Sequence, residues 1–166
     1  MRRLCREGPG MTEINTRVQV LAVSPFEADI LALSQILSHS AWEFDNANSV
    51  ATASNYLLHN SAQVILCERT LPDGDWNDVL NLISGMADPP QLIVTSRDAD
   101  DHLWAEVLNV GAYDVLVKPF HPKEVFRTIG LAWRHWMSAR KSHMTAIPRR
   151  GSASEQMSSP LVAAAR

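Results

Sequence analysis

Between Arg17 and about Arg140, short apolar runs alternate with longer stretches in which apolar residues recur every three or four positions. Runs this short suit strands buried on both faces, and the helical stretches between them supply the cover, so the alternation points to a parallel sheet. The strands are expected at Val18 to Val23, Trp42 to Phe44, Ala62 to Cys67, Gln91 to Thr95 and Asp114 to Val117. The first helix is expected to open at Ser24-Pro25-Phe26-Glu27, with Ser24 as cap, Pro25 in the first position and Glu27 closing a capping box. It would turn Phe26, Ile30, Leu33 and Leu37 inward and end near Ser40. Ser49 opens a second helix burying Val50, Ala53, Leu57 and Leu58, and Asp75 caps a third that uses Val79, Leu80 and Ile83. Pro89-Pro90 breaks the chain before the fourth strand, a fourth helix runs from about Asp98 to the C-terminal glycine Gly111, and a last one from about Pro122 to Arg140.

Five strands and five helices in strict alternation give a three-layer α/β sandwich of flavodoxin-like type, with a five-stranded parallel sheet in the expected order 2-1-3-4-5. At 166 residues and 46% hydrophobic composition the chain has length for one such domain and enough apolar mass for its core. Residues 17–140 are assigned to it, between a flexible N-terminal segment (1–16) and a flexible basic tail (141–166) in which only Pro160 to Arg166 would form a helical turn, given a partner. Residues 18–133 carry 5 basic against 15 acidic side chains, whereas 134–166 carry 6 against 1. An acidic domain repels phosphate backbones, so nucleic acid is not an expected partner. No apolar run reaches membrane-spanning length and no signal-peptide pattern opens the chain, whether it starts at Met1 or Met11, which makes a cytoplasmic protein the simplest expectation.

Sites in sheets of this kind lie at the carboxyl ends of the strands, here Ser24, Glu68, Thr95 and Lys118. The chain resembles the receiver domain of bacterial two-component response regulators over about residues 17–140. The resemblance is carried by Val64-Ile65-Leu66-Cys67-Glu68 with Leu71-Pro72-Asp73-Gly74, by Leu92-Ile93-Val94-Thr95-Ser96, and by Gly111-Ala112-Tyr113-Asp114-Val115-Leu116-Val117-Lys118-Pro119-Phe120. It implies that a metal-binding acidic pair would fall on Ser24 and Pro25 and the phosphoacceptor on Glu68. It also implies that Thr95 and Lys118 would contact a phosphoryl group and that the switch aromatic would fall on Val115. Neither Ser24 nor Pro25 supplies a carboxylate, so no metal, cofactor or catalytic residue is expected, and the chain is identified as an atypical receiver that is not an enzyme.

Glu68 is expected to pair with Lys118, either as a fixed strut between strands three and five or as an anionic stand-in for a phosphorylated acceptor. Glu27 is assigned to capping rather than to metal binding, Asp73 to the turn, and Cys67 to the core as a small hydrophobe. The six histidines show no ligand spacing. On the last helix Val125, Ile129, Ala132 and Trp136 form one apolar stripe, while Phe126, Trp133 and Met137 form a second that exceeds the needs of one sheet face. That second stripe is read as a contact for another copy or a protein partner, such as a sensor kinase, through the helix 4, strand 5, helix 5 face. The residues after Arg140 are too few for an output domain, so the expected function is stand-alone signalling by phosphorylation-independent protein contact. The alternative is a flavodoxin-like small-molecule or nucleotide binder using the same strand ends, although no Gly-rich loop follows strand one.

Overall fold

The computed structural model describes residues 17–145; the assigned N-terminal segment, and the C-terminal tail after Thr145, lie outside them. Seven strands and five helices follow in the order β1 (Gln19–Val23), α1 (Glu27–Leu37), β2 (Glu43–Ala47), α2 (Val50–His59), β3 (Val64–Glu68), β4 (Thr70–Leu71), β5 (Gly74–Asp75), α3 (Trp76–Ser84), β6 (Gln91–Ser96), α4 (Asp101–Val110), β7 (Asp114–Val117) and α5 (Pro122–Thr145). The main sheet is parallel in the order β2-β1-β3-β6-β7. This is the expected 2-1-3-4-5 arrangement, with β4 and β5 forming a separate antiparallel hairpin after β3.

Alternating side chains divide the core in two. Leu21, Val23, Ile65, Cys67, Val94 and Val115 face a layer made by Ala53, Val79, Ile83, Leu103 and Val107 of α2, α3 and α4. Val20, Ala22, Val64, Leu66, Ile93 and Leu116 face Leu33 and Leu37 of α1 and Val125, Ile129 and Ala132 of α5. All five residues of β3 are buried, as befits the central strand.

Local capping chemistry explains several helix starts. Ser49 and Asp75 cap α2 and α3 with reciprocal capping boxes completed by Thr52 and Asp78. A Cβ at Gly74 would run into the Asp78 carboxylate, which also accepts from the Asp75 N–H, so a larger residue there would push Asp78 out of its capping position. Gly111 closes α4 with φ 114°, the left-handed conformation that glycine adopts without strain.

Other expectations need correction. Helix α1 starts at Glu27, not at Pro25, and its N-cap residue Phe26 makes no side-chain cap bond. The Ser24 hydroxyl is instead spent on a carboxylate of the helix, and Glu27 stays exposed without a capping box. The helix ends at Leu37, where the Ser38 and Ser40 hydroxyls donate to the carbonyls of Gln35 and Leu37. Strand β2 runs on to Ala47 because it pairs with the whole of β1. Leu58 is 78% exposed, since Ala53 and Leu57 occupy the inward face of α2. Helix α4 begins at Asp101, with Asp100 accepting from the Leu103 N–H at 2.8 Å. Helix α5 continues to Thr145, five residues beyond the expected end.

Candidate functional site

The carboxyl ends of β1, β3, β6 and β7 converge on one cluster of buried polar side chains. Glu68 closes β3 and Thr95 lies beside it in the register of β3 with β6. The Thr95 hydroxyl donates to Glu68 Oε2 at 3.2 Å. Lys118 follows β7, ahead of a cis bond to Pro119, and its ammonium donates to the same Glu68 Oε2, so the expected Glu68 to Lys118 contact is present.

The ammonium has a second carboxylate partner, Asp29 Oδ2, from the first turn of α1. Ser24, buried at the end of β1, donates its hydroxyl to that Asp29 oxygen at 3.2 Å and accepts from the Phe26 N–H, also at 3.2 Å. Ser24 is thus part of the cluster through Asp29 and not through a cap. The exposed Pro25 contributes no polar group. Phe26, expected on the buried face of α1, is 46% exposed and places its ring 5.1 Å from the Lys118 ammonium, within cation–π range.

Asp29 escaped the sequence reading. It sits among the apolar residues of α1, and its position in the first turn reads as a favourable charge at a helix N-terminus. The one available signal was a carboxylate one helical turn from Phe26, in phase with the buried Leu33 and Leu37.

Lys118 lies between two open recesses. One, of about 460 Å³, is lined by Phe26, Glu68, Arg69, Ser96, Arg97 and Lys118; the other includes Asp29, Arg97, Pro119 and Phe120. Cys67 points away into the core, where burial first and the Glu68 charge second push its thiol well up, which suppresses the reactive thiolate. All six histidines are exposed, and among the described residues no group of three or more His, Cys, Asp or Glu side chains gathers as a metal set. Val115 is 1% exposed and packed against the α2 to α4 layer.

The family profile of the response regulator receiver domain matches residues 20–130. The chain belongs to that family. Solved receivers share its fold. The signal receiver domain of an HD domain-containing protein from Pseudomonas fluorescens aligns at 25% identity and TM-score 0.69, over 75% of this chain and 93% of that one. That of a LuxO repressor protein from Vibrio parahaemolyticus aligns at 20% identity and TM-score 0.70, over 76% and 97%. A chemotaxis response regulator of Vibrio cholerae aligns at 20% and 0.64, over 70% and 99%. No curated protein matches the chain. As a receiver domain the protein serves signal transduction, and such domains interact with kinases or other proteins and are in general not enzymes. No helix among the described residues is long and apolar enough to cross a membrane.

The magnesium ion that the family implies does not fit this receiver's donor set. Magnesium requires several hard oxygens in near-octahedral array, and the two carboxylates here both bond to one ammonium.

The second stripe of α5 also differs from expectation. Phe126 and Trp133 are half-buried against the α1 and α5 core, and the Phe126 ring lies 5.5 Å from that of Trp42. That flank faces α1, with Ala32, Ile36 and His39 beside Phe126. Met137 follows four residues after Trp133, on the same flank. The opposite flank of α5 bears His135, whose ring is tilted against that of Tyr113 at 5.4 Å, and Leu131, which is 42% exposed. The structure therefore separates Phe126, Trp133 and Met137 from the flank of α5 that bears Leu131; on α4, Leu108 and Val110 are exposed apolar residues.

Proposed function

We propose that this receiver domain is an atypical one that transmits its signal through contact with a protein partner, without being phosphorylated. One observation carries the reading: the carboxylate at the end of β3 is a buried glutamate, engaged by both Lys118 and Thr95, while the end of β1 offers Ser24 and Pro25 in place of acidic side chains. Phosphoryl transfer in a site of this kind depends on a metal bridging the phosphoryl oxygens and on a free nucleophile in line with the leaving group. Here Ser24 stands in the place of a metal ligand and bonds to Asp29, and Glu68 is held from two sides.

Glu68 and Lys118 then act as a fixed strut between β3 and β7 that keeps the strand ends in one arrangement for the partner. An aliphatic, fully packed Val115 supports the same reading, because no aromatic ring rotates there to report a change of state. The partner is a kinase or another signalling protein, and pairing of two copies through the α4, β7, α5 face is a second use of the surface. Intact-mass measurement after incubation with acetyl phosphate and Mg²⁺ tests the proposal. The expected result is an unchanged mass; a stoichiometric gain of one phosphoryl group at Glu68 would overturn it.

A further inference from the structure

We infer that the Lys118 ammonium is the resident cation of this site. It is held by Asp29 and Glu68 in the role that a divalent ion would otherwise fill, and it closes the strand ends to such ions. The inference deepens the reading of a domain that works without phosphotransfer. It rests on Asp29, a residue outside the positions to which the resemblance assigned metal binding.

Two carboxylates reach the cluster from separate elements, Asp29 from α1 and Glu68 from β3, and both are about nine-tenths buried. Carboxylates so placed need a cation, since burying unpaired charge is costly. Lys118 supplies it, with a side chain only 4% exposed. The hydroxyls of Ser24 and Thr95 donate to the same two oxygens that the ammonium engages. The Phe26 ring lies within cation–π range of the ammonium and lines the recess beside it. A divalent ion could enter only by lying against a buried ammonium or by driving it out, and both are unfavourable at short range in a poorly solvated site. The arrangement also gives the buried acid of α1 a role: Asp29 balances the lysine where Ser24 and Pro25, at the end of β1, supply no carboxylate.

Removing the ammonium should therefore uncover a divalent site. Lys118→Met keeps most of the apolar stem and leaves two carboxylates and two hydroxyls facing one another. Mn²⁺ binding, read by electron paramagnetic resonance of the free ion and by thermal shift, is compared for the wild type, Lys118→Met, Lys118→Arg and Lys118→Met with Asp29→Asn. The expected result is at least tenfold tighter Mn²⁺ binding by Lys118→Met than by the wild type, loss of that gain in the double variant, and exclusion of Mn²⁺ by Lys118→Arg. If Lys118→Met is unfolded without metal, Mn²⁺ restoring its circular dichroism supports the inference and failure to restore it overturns it. Saturable Mn²⁺ binding by the wild type as tight as that of Lys118→Met also overturns it. Phosphoryl gain in the intact-mass experiment would instead strike the broader reading and leave the Mn²⁺ comparison standing on its own.

Discussion

Replacing Lys118 by alanine and replacing Asp29 by asparagine disturb the same cluster, yet they should differ sharply in cost. Lys118→Ala removes the positive charge shared by Asp29 and Glu68 and leaves two buried carboxylates without it. Removing one partner of a buried pair costs about 3 to 5 kcal/mol, and two stranded carboxylates place this variant in the upper half, about 4 to 5 kcal/mol. Asp29→Asn leaves Lys118 paired with Glu68 and gives up a charge-assisted bond, at about 1.5 to 3 kcal/mol. With a urea slope of about 2 kcal/mol per molar, the unfolding midpoint should fall by about 2 M for Lys118→Ala and by about 1 M for Asp29→Asn. Equilibrium urea unfolding followed by circular dichroism measures both. Combining Asp29→Leu, Glu68→Met and Lys118→Met should recover most of the loss, because exchanging a whole buried ion cluster for apolar residues of similar volume is close to neutral. A midpoint unchanged by Lys118→Ala, or a larger loss from Asp29→Asn, would refute the reasoning.

Other outcomes follow from the same structure. Asp73 accepts from the Val50 and Ala51 N–H groups at 2.8 and 2.9 Å, and these backbone bonds hold its carboxyl below the ordinary value of 3.8. Its contribution is therefore complete above that value and is lost as pH falls through the lowered one, so Asp73→Ala should destabilise the domain at neutral pH and match the wild type in strong acid. A gap between their urea midpoints that persists in strong acid would contradict this. Val115→Tyr should cost about 1 to 3 kcal/mol by overpacking the α2 to α4 layer, seen as a lower calorimetric midpoint; an equal or higher midpoint counts against the tight packing described. Leu131→Asp should abolish any self-association through the α4, β7, α5 face without changing the thermal midpoint, whereas Trp133→Asp should lower that midpoint because Trp133 packs on the core. Light scattering that finds the wild type monomeric at high micromolar concentration removes self-association from the proposal.

The strands and most of the helices were legible in the sequence because their causes are local. The run Val64 to Cys67 is apolar at every position and, short and followed by turn residues, reads as a strand covered on both faces, and Ser49, Asp75 and Gly111 act on backbone groups within a few residues of themselves. Glu68, Thr95 and Lys118 were legible as site residues because strand ends meet wherever parallel strands are neighbours. The start of α1 was misread because Ser24-Pro25 has the form of a cap, and the choice against it is made by a buried bond to Asp29. What only the tertiary structure decided are pairings across long separations. Asp29 meets an ammonium 89 residues away, Asp73 caps a helix whose first residue lies 23 positions earlier, and Phe126 spends its ring on Trp42. A buried charge or an amphipathic flank states a need in the sequence without naming what meets it. Only the order of the strands, which places α1 and β3 within reach of the residue after β7, supplies the partner.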